Sequence, residues 1–234
     1  KEQEVKKNFE EYLMTLGNIK DVKVLRSDVI PESMFNAGFH ERYGGVTQFA
    51  PLASLNMLYT IRKTDPLLVI KENRRRLAVT AGFDLESFNM AKVEHANSIW
   101  VVGTKPPSNY DGVVTNIPGV TVAAPGADCS MILLADVRTG ACGAVHSGWR
   151  GTVLGAVRSC LKTMVNEFGT NPRDIRAAIG PTIEVSCFTL PAKDAAVIKD
   201  LDPSLIRPHQ DLSGRVHVDL VGANVVMLEQ EGVL

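Results

Sequence analysis

Three features are missing from this sequence, and each absence excludes a class of protein. The longest apolar runs are far shorter than the ~20 residues that a membrane-spanning helix needs. Neither sign of charge dominates, since the formal net charge is −1, which argues against nucleic acid or an anionic membrane as the main partner. The four cysteines form no CxxC pair in a chain too long for a disulfide scaffold, so we expect reduced thiols in a cytoplasmic protein.

We expect no signal peptide at the start of the chain, because its first residues are charged and follow a helical pattern. Val5, Phe9 and Leu13 are spaced four residues apart, which predicts a helix within residues 1–20. The chain begins at Lys1 rather than at a methionine. We therefore expect the helix to continue from a missing N-terminal region that supplies contacts with protein partners.

The composition and patterning that are present indicate one globular domain. With 234 residues, 45% hydrophobic and 22% charged, the chain is long enough for a substantial core. We predict a single α/β domain over residues 1–234 with mixed strand directions. The predicted helices are Glu2–Leu16, one that starts at Asp65–Pro66, Thr152–Phe168, and two near Pro191–Lys199 and Val218–Gln230. The predicted strands are Lys23–Ile30, Lys92–Gly103, Gly112–Thr115, Thr121–Ala124, Ser130–Ala135, Cys142–His146 and Asp174–Ile179, with a hairpin joining Ser130–Ala135 to Cys142–His146.

The stretch Ala141–Thr152 is the most informative part of the chain. An apolar run delivers His146 to the end of a predicted strand, a tight bend follows, and Arg150 precedes a helical pattern. A histidine in such a bend can bind a metal or move a proton. The arginine and the amides at the start of the helix can hold an anion. Just upstream, Asp128 and Cys129 offer a carboxylate and a thiol to what looks like the same site.

His95, Cys129 and His146 together make a set of two imidazoles and one thiolate. Three protein ligands with a fourth position open for water is the pattern of catalytic zinc. Two histidines and a cysteine also suit a blue-copper centre, which needs a weak axial ligand. The three residues match no local metal motif, so the fold has to bring them together.

The irregular stretch Gly38–Asn56 is rich in glycine, aromatic and polar residues and shows no period. Such a loop is either disordered or shaped around a ligand. It carries Arg42, Gly45, Thr47 and Asn56. Arg42 and the amides of this loop, with Arg150, are candidates for contacts with phosphate or sugar.

At these residues the chain resembles the laccase-domain family, once called multicopper polyphenol oxidases and now regarded as purine nucleoside phosphorylases with adenosine deaminase activity. The resemblance runs from about Gly38 to the end of the chain. The segment Ala127–Cys129 matches the family's ADC, and His146–Gly151 matches its HAGWRG with serine in place of alanine. At Val93–His95 the family's QxH has lost its glutamine but kept its histidine. Further matches are Gly38–Thr47, Ser54–Asn56, Asn73–Arg74 and Gly180–Ile183.

The resemblance implies a fold, a metal and two reactions. The fold is a four-layer α/β/β/α arrangement, and the metal is one catalytic Zn²⁺ on His95, Cys129 and His146. The reactions are phosphorolysis of adenosine, inosine or guanosine to base and ribose 1-phosphate, with methylthioadenosine a further candidate, and deamination of adenosine to inosine. The chain is most similar to the C-terminal enzyme domain of the larger, cytoplasmic animal form, a protein of purine metabolism and immunometabolism.

Roles follow for individual residues. Cys129 and His146 are assigned to catalysis as well as to the metal. Asp128 either shuttles a proton, as glutamate does in zinc deaminases, or orients a ligand. Substrate or phosphate binding is assigned to Arg42, Gly45, Thr47, Asn56, Arg74 and Arg150.

Three other hypotheses use the same residues. A copper-dependent polyphenol oxidase fits the old family name, but its several copper centres need more than the five histidines present. A metal-free cysteine hydrolase would use Cys129 as nucleophile and His146 as base. A structural zinc clip would fill all four positions of the metal with protein ligands.

Overall fold

The computed structural model describes residues 2–59 and 65–234. They form two compact units. One unit is the chain up to Arg26 together with Gly38–Glu86, and the other is Ser27–Ala37 together with Ser87–Leu234. Whether residues 1–234 act as one domain stays a prediction.

The first unit contains two helices and a short ladder. Helix α1 spans Glu2–Thr15, strands β1 (Val24–Leu25) and β2 (Phe39–His40) pair antiparallel, and helix α2 spans Leu67–Ala81. Helix α2 begins after Pro66, whose missing N–H would be unpaired at that position anyway. It ends at Gly82, whose φ of 75° closes the last turn in the left-handed region. The core of this unit is formed by Val22, Leu55, Met57 and Leu77.

The second unit contains the remaining strands and helices. The strands are β3 (Phe88–Met90), β4 (Ile99–Val101), β5 (Gly112–Thr115), β6 (Thr121–Ala123), β7 (Ser130–Asp136), β8 (Cys142–Ser147), β9 (Ile175–Ile179), β10 (Thr189–Pro191), β11 (Ile206–Pro208) and β12 (Arg215–Val218). The helices are α3 (Trp149–Val153), α4 (Ala156–Phe168), α5 (Ala196–Leu201) and α6 (Leu220–Gln230). The largest sheet has the order β4-β5-β8-β7-β9, in which β4 and β5 are parallel and the other neighbours antiparallel. A parallel pair β3-β6 and an antiparallel sheet β10-β12-β11 complete the unit.

Helix α4 covers the five-stranded sheet and forms the main core. Its fully buried side chains, among them Val157, Leu161 and Met164, pack with Ile132 and Val145 of the sheet. Burying a side chain of this size contributes roughly 1.5–3 kcal/mol. The packing of α4 therefore stabilises the strands that carry the candidate site.

The mixed α/β class and the hairpin of β7 and β8 are confirmed. The structure corrects three predicted elements. Thr152–Phe168 is not one helix, because Gly155 at φ 72° separates α3 from α4. Lys92–Gly103 is not one strand, because His95 has a φ of 64° and only Ile99–Val101 pairs as a strand. Within Lys23–Ile30, only Val24–Leu25 joins a ladder.

Within residues 2–59 and 65–234, the helices are all too short or too polar to cross a lipid bilayer.

Candidate metal centre

The three predicted ligands lie together in the second unit. One ligand atom from each of His95, Cys129 and His146 lies within 4.8 Å of the others. The two imidazole rings meet edge to face, with centroids 5.0 Å apart and planes at 84°. His146 is buried, Cys129 is half-buried and His95 is exposed, so the cluster faces solvent on one side.

The hairpin places two of these ligands. Cys129 immediately precedes β7, and His146 is the fifth residue of β8. Ser130 pairs with Ser147 and Met131 with His146 across the ladder, so Cys129 and His146 come from adjacent strand ends. His95 comes from the segment before β4, at the same end of the sheet. The sheet topology therefore brings together three ligands that lie far apart in the sequence.

Gly148 forms the floor of the cluster. A Cβ at this position would lie 2.9 Å from Cys129 Sγ, 3.3 Å from His146 Cε1 and 3.4 Å from His95 Cδ2. The φ of Gly148 is −67°, so the requirement for glycine is steric and not conformational. Three side chains with the donor atoms that zinc prefers thus share one small space against the backbone, and this arrangement fits a metal ion.

Asp111, which lies directly behind His146, is not among the site residues predicted from the sequence. The Asp111 side chain is 0% exposed, and its Oδ1 accepts a hydrogen bond from His146 Nδ1 at 3.0 Å. Nε2 of His146 is then the nitrogen left to act as a ligand. The available signal was weak: a lone aspartate between Tyr110 and the buried strand β5.

The electrostatics of the cluster favour a cation. Burial raises the pKa of the Cys129 thiol, and the negative charges of Asp128 and Asp111 raise it further. Burial lowers the pKa of His146, opposed by its hydrogen bond to Asp111. A neutral imidazole is ready to bind a metal, whereas the thiolate needs a nearby positive charge that a divalent ion would supply.

Asp128 and Arg150 flank the cluster. Asp128 is exposed at a φ of 101°, and its carbonyl oxygen accepts a 2.8 Å hydrogen bond from the Ile183 amide. Arg150 is also exposed, near the start of α3, and its guanidinium carbon lies 4.7 Å from the centroid of the Trp149 ring. Both side chains are exposed to solvent, and their predicted roles toward substrate stay predictions.

Comparison with known proteins assigns the chain to a family. The family model described as multi-copper polyphenol oxidoreductase laccase matches residues 36–234. The chain belongs to this family.

Curated relatives match most of the chain. The chain is 41% identical over 233 residues to purine nucleoside phosphorylase LACC1 of Mus musculus, which covers 99% of this chain and 54% of that protein. It is 38% identical over 197 residues to a purine nucleoside phosphorylase of Deinococcus radiodurans, covering 83% of this chain and 74% of that protein. The chain thus spans about half the length of its curated animal relatives.

A solved structure confirms the fold. The crystal structure of Bacillus licheniformis hypothetical protein YfiH superposes with a TM-score of 0.75 at 26% identity, covering 84% of this chain and 78% of that one. The mixed α/β architecture of this chain is therefore shared with YfiH.

In the first unit, three residues of the laccase-family motifs, Thr47, Asn56 and Asn73, form a closed network with Asp65. Asp65 Oδ2 accepts hydrogen bonds from Thr47 Oγ1 at 2.9 Å and from Asn56 Nδ2 at 2.7 Å. Asn73 donates to Thr47 Oγ1 at 3.0 Å and accepts from the Val46 amide at 2.8 Å. Thr47, Asp65 and Asn73 are all buried. The hydroxyl, the carboxylate and the amides satisfy one another.

The arginines and the glycine of the same unit are also engaged. Arg42 Nε donates to the Ala53 carbonyl at 2.8 Å, and Arg74 donates to the Met57 carbonyl from Nε at 3.1 Å and from Nη2 at 2.8 Å. A Cβ on Gly45 would lie 2.1 Å from the Ser54 carbonyl oxygen. These contacts hold the irregular stretch in shape, and the predicted roles of these residues in substrate binding stay predictions.

Proposed function

We propose that this chain is a purine nucleoside phosphorylase domain whose catalytic centre is a zinc ion held by His95, Cys129 and His146. One observation carries the proposal: these donors converge from three segments of the second unit, with His95 exposed to solvent. Relatives in Mus musculus and Deinococcus radiodurans are named purine nucleoside phosphorylases, which supports this substrate class. Three ligands from protein and an accessible side are the arrangement of a catalytic and not a structural zinc.

Phosphorolysis breaks the bond between C1′ of the sugar and the purine nitrogen and forms a bond from C1′ to a phosphate oxygen. The base leaves with the electron pair of the broken bond and takes up a proton. Arg150 supplies a cation for the incoming phosphate, and its stacking on Trp149 holds the guanidinium plane in place. When bound, zinc would supply a Lewis acid that stabilises developing negative charge.

Deamination of adenosine is the finer part of the proposal. It needs a group that moves a proton between water and the leaving amine. Asp128 is the candidate, because its exposed carboxylate lies close enough to the thiol to raise the pKa of Cys129. The alternative role of Asp128 is structural, since its carbonyl accepts the Ile183 amide.

The resemblance to the family extends the proposal beyond the site. We infer the four-layer α/β/β/α arrangement, a cytoplasmic location, and protein partners bound through a region N-terminal to this chain. Adenosine, inosine, guanosine and methylthioadenosine are the candidate substrates.

Two alternatives fit the site less well. A multicopper oxidase needs several copper centres, whereas the described part of the chain contains one group of three metal-binding side chains. A cysteine hydrolase needs an activated thiolate, whereas burial and two carboxylates raise the pKa of Cys129. Copper bound in proportion to phenol oxidation would support the first alternative.

The test combines elemental analysis with a nucleoside assay. The purified chain is expected to contain about one zinc per chain, as a site with three protein ligands implies. Inosine should give hypoxanthine and ribose 1-phosphate only when phosphate is present. Turnover by a chain stripped of metal, or a zinc-loaded chain that leaves inosine and adenosine intact, would overturn the proposal.

A further inference from the structure

Asp111 contacts more than one of the candidate ligands. Its two carboxylate oxygens accept four hydrogen bonds: one from the His146 ring and three from consecutive backbone amides of residues 94–96. We propose that Asp111 is the positioning residue of the metal centre, a single buried carboxylate that sets the ring orientation of His146 and the backbone of His95. This inference rests on the zinc site of the proposed function.

The contact with His146 fixes the ring in both position and tautomer. Nδ1 of His146 donates to Asp111 Oδ1 at 3.0 Å, while the His146 backbone amide donates to the Asp111 carbonyl at 2.7 Å. With its proton on Nδ1, the ring carries its lone pair on Nε2. The aspartate therefore presents His146 to a metal through one nitrogen only.

The contact with the loop fixes His95. The amide of His95 donates to Asp111 Oδ1 at 3.0 Å, and the amides of Ala96 and Glu94 donate to Oδ2 at 2.9 and 3.3 Å. His95 has a φ of 64°, a left-handed conformation that costs about 1–3 kcal/mol outside glycine. The three amides wrapped around one carboxylate offset that cost and hold the exposed His95 over the site.

Asp111 is itself held firmly. It immediately precedes β5, and its backbone amide donates to the Ser98 carbonyl at 2.8 Å. In the part of the chain that the structure describes, the side chain that contacts the Asp111 carboxylate is the His146 ring at 3.0 Å, and no lysine or arginine pairs with it. Two neutral imidazoles, one thiolate and one carboxylate balance the charge of a divalent cation, which explains why an anion is buried here.

The conservative variant Asp111→Asn tests the role, because each carboxylate oxygen accepts two hydrogen bonds. Whichever way the side-chain amide of this variant is turned, its NH₂ group faces two N–H donors and can accept a hydrogen bond from neither of them. Loss of a carboxylate that orients a ligand typically weakens metal binding about 10–100-fold. We expect that loss in zinc affinity, measured by competition with a chromophoric chelator.

Asp136→Asn is the matched control. Asp136 is also 0% exposed and accepts hydrogen bonds from the Arg138 amide at 2.9 Å and from the Thr139 amide and hydroxyl at 3.0 and 2.6 Å. It lies at the other end of β7, away from the cluster. Asp136→Asn should lower the melting temperature while zinc affinity stays that of wild type.

The absorption spectrum of the cobalt(II)-substituted protein reports on the geometry of the ligands, and a loss of stability alone does not change it. Asp111→Asn should keep the charge-transfer band of the Cys129 thiolate but change the d–d bands, because the imidazoles are misplaced. Unchanged zinc affinity and an unchanged cobalt spectrum would overturn the inference, as would an equal loss of affinity in Asp136→Asn. A wild-type chain that binds neither ion would overturn it through its premise.

Two further outcomes have a defined meaning. If Asp111→Asn does not fold, Asp111→Glu keeps the charge and moves the carboxylate by one methylene; a shifted cobalt spectrum then supports the inference and an unshifted one overturns it. If Asp111→Asn weakens zinc binding but the wild-type zinc protein forms no ribose 1-phosphate, the inference stands and the proposed function alone fails.

Discussion

Two groups of polar residues, one in each unit, use their hydrogen-bonding atoms in opposite ways. In the first unit, Thr47, Asn56 and Asp65 bind one another and are largely buried. In the second unit, Asp111 and the backbone orient His95 and His146, but the ligand atoms of these histidines and of Cys129 turn toward a shared space.

This difference distinguishes motif residues that stabilise the fold from motif residues that bind a ligand. A closed network satisfies its own donors and acceptors, so its contribution is to stability. An open cluster leaves donor atoms for something that is not part of the chain. Substitutions in the cluster of the second unit should therefore lower the zinc content. Substitutions in the network of the first unit should lower the free energy of unfolding.

The largest expected effect is that of His146→Ala. It removes one of three ligands. It also removes the imidazole that donates a hydrogen bond to the buried Asp111 carboxylate. We expect loss of stoichiometric zinc and of both nucleoside reactions, measured by elemental analysis and by product formation. His209→Ala is the control, because His209 stacks on His217 outside the cluster. Zinc retained at full stoichiometry in His146→Ala would contradict the proposed site.

Gly148→Ala should come next. The added methyl group would lie 2.9 Å from Cys129 Sγ and would push the ligands apart. Since disturbing the orientation of metal ligands typically weakens metal binding about 10–100-fold, zinc affinity should fall by a factor in that range. Gly140→Ala, in the turn before β8, is the control, since a Cβ there meets no atom within 4 Å, although its φ of 76° makes some loss of stability expected. If zinc affinity is insensitive to the methyl group, the metal does not lie between these side chains.

Arg150→Ala should have a smaller effect, confined to phosphate. A hydrogen bond from a charged group contributes about 1.5–3 kcal/mol, so KM for phosphate should rise at least tenfold with zinc content unchanged. Arg42→Ala sharpens the comparison, because Arg42 Nε donates to the Ala53 carbonyl. That variant should lose stability and keep the KM for phosphate. The reverse result would exchange the roles of the two arginines.

Thr47→Val comes last in the comparison, because we expect it to leave the metal centre unchanged. It removes a donor to Asp65 and an acceptor for Asn73, both buried, at a cost of about 1–3 kcal/mol. Denaturant unfolding measures this loss, and zinc content should remain that of wild type. Unchanged stability with a raised KM for nucleoside would show instead that Thr47 binds substrate, as the sequence predicts.

The sequence identifies the ligands better than what orients them. Cys129 and His146 border two strongly apolar strands, a local signal, and both fall in motifs of the laccase family. Asp111 acts on amides 94–96 and on a ring at position 146, contacts that exist only after β5 pairs with β8. The left-handed backbone of His95 is equally invisible, because Lys92–Gly103 is apolar enough to suggest a strand. Local patterns predict elements, whereas long-range contacts decide how their ends are used.

The pairing of β7 with β8 lets a distant turn help to position the metal centre. Cys129 and His146 approach because Ser130 lies opposite Ser147, an alignment counted out from the turn at residues 137–141. A slip of one residue would send the imidazole to the opposite face of the sheet. The far turn, the buried apolar faces of both strands and the pairing of β8 with β5 thus act together on a cluster that none of them touches.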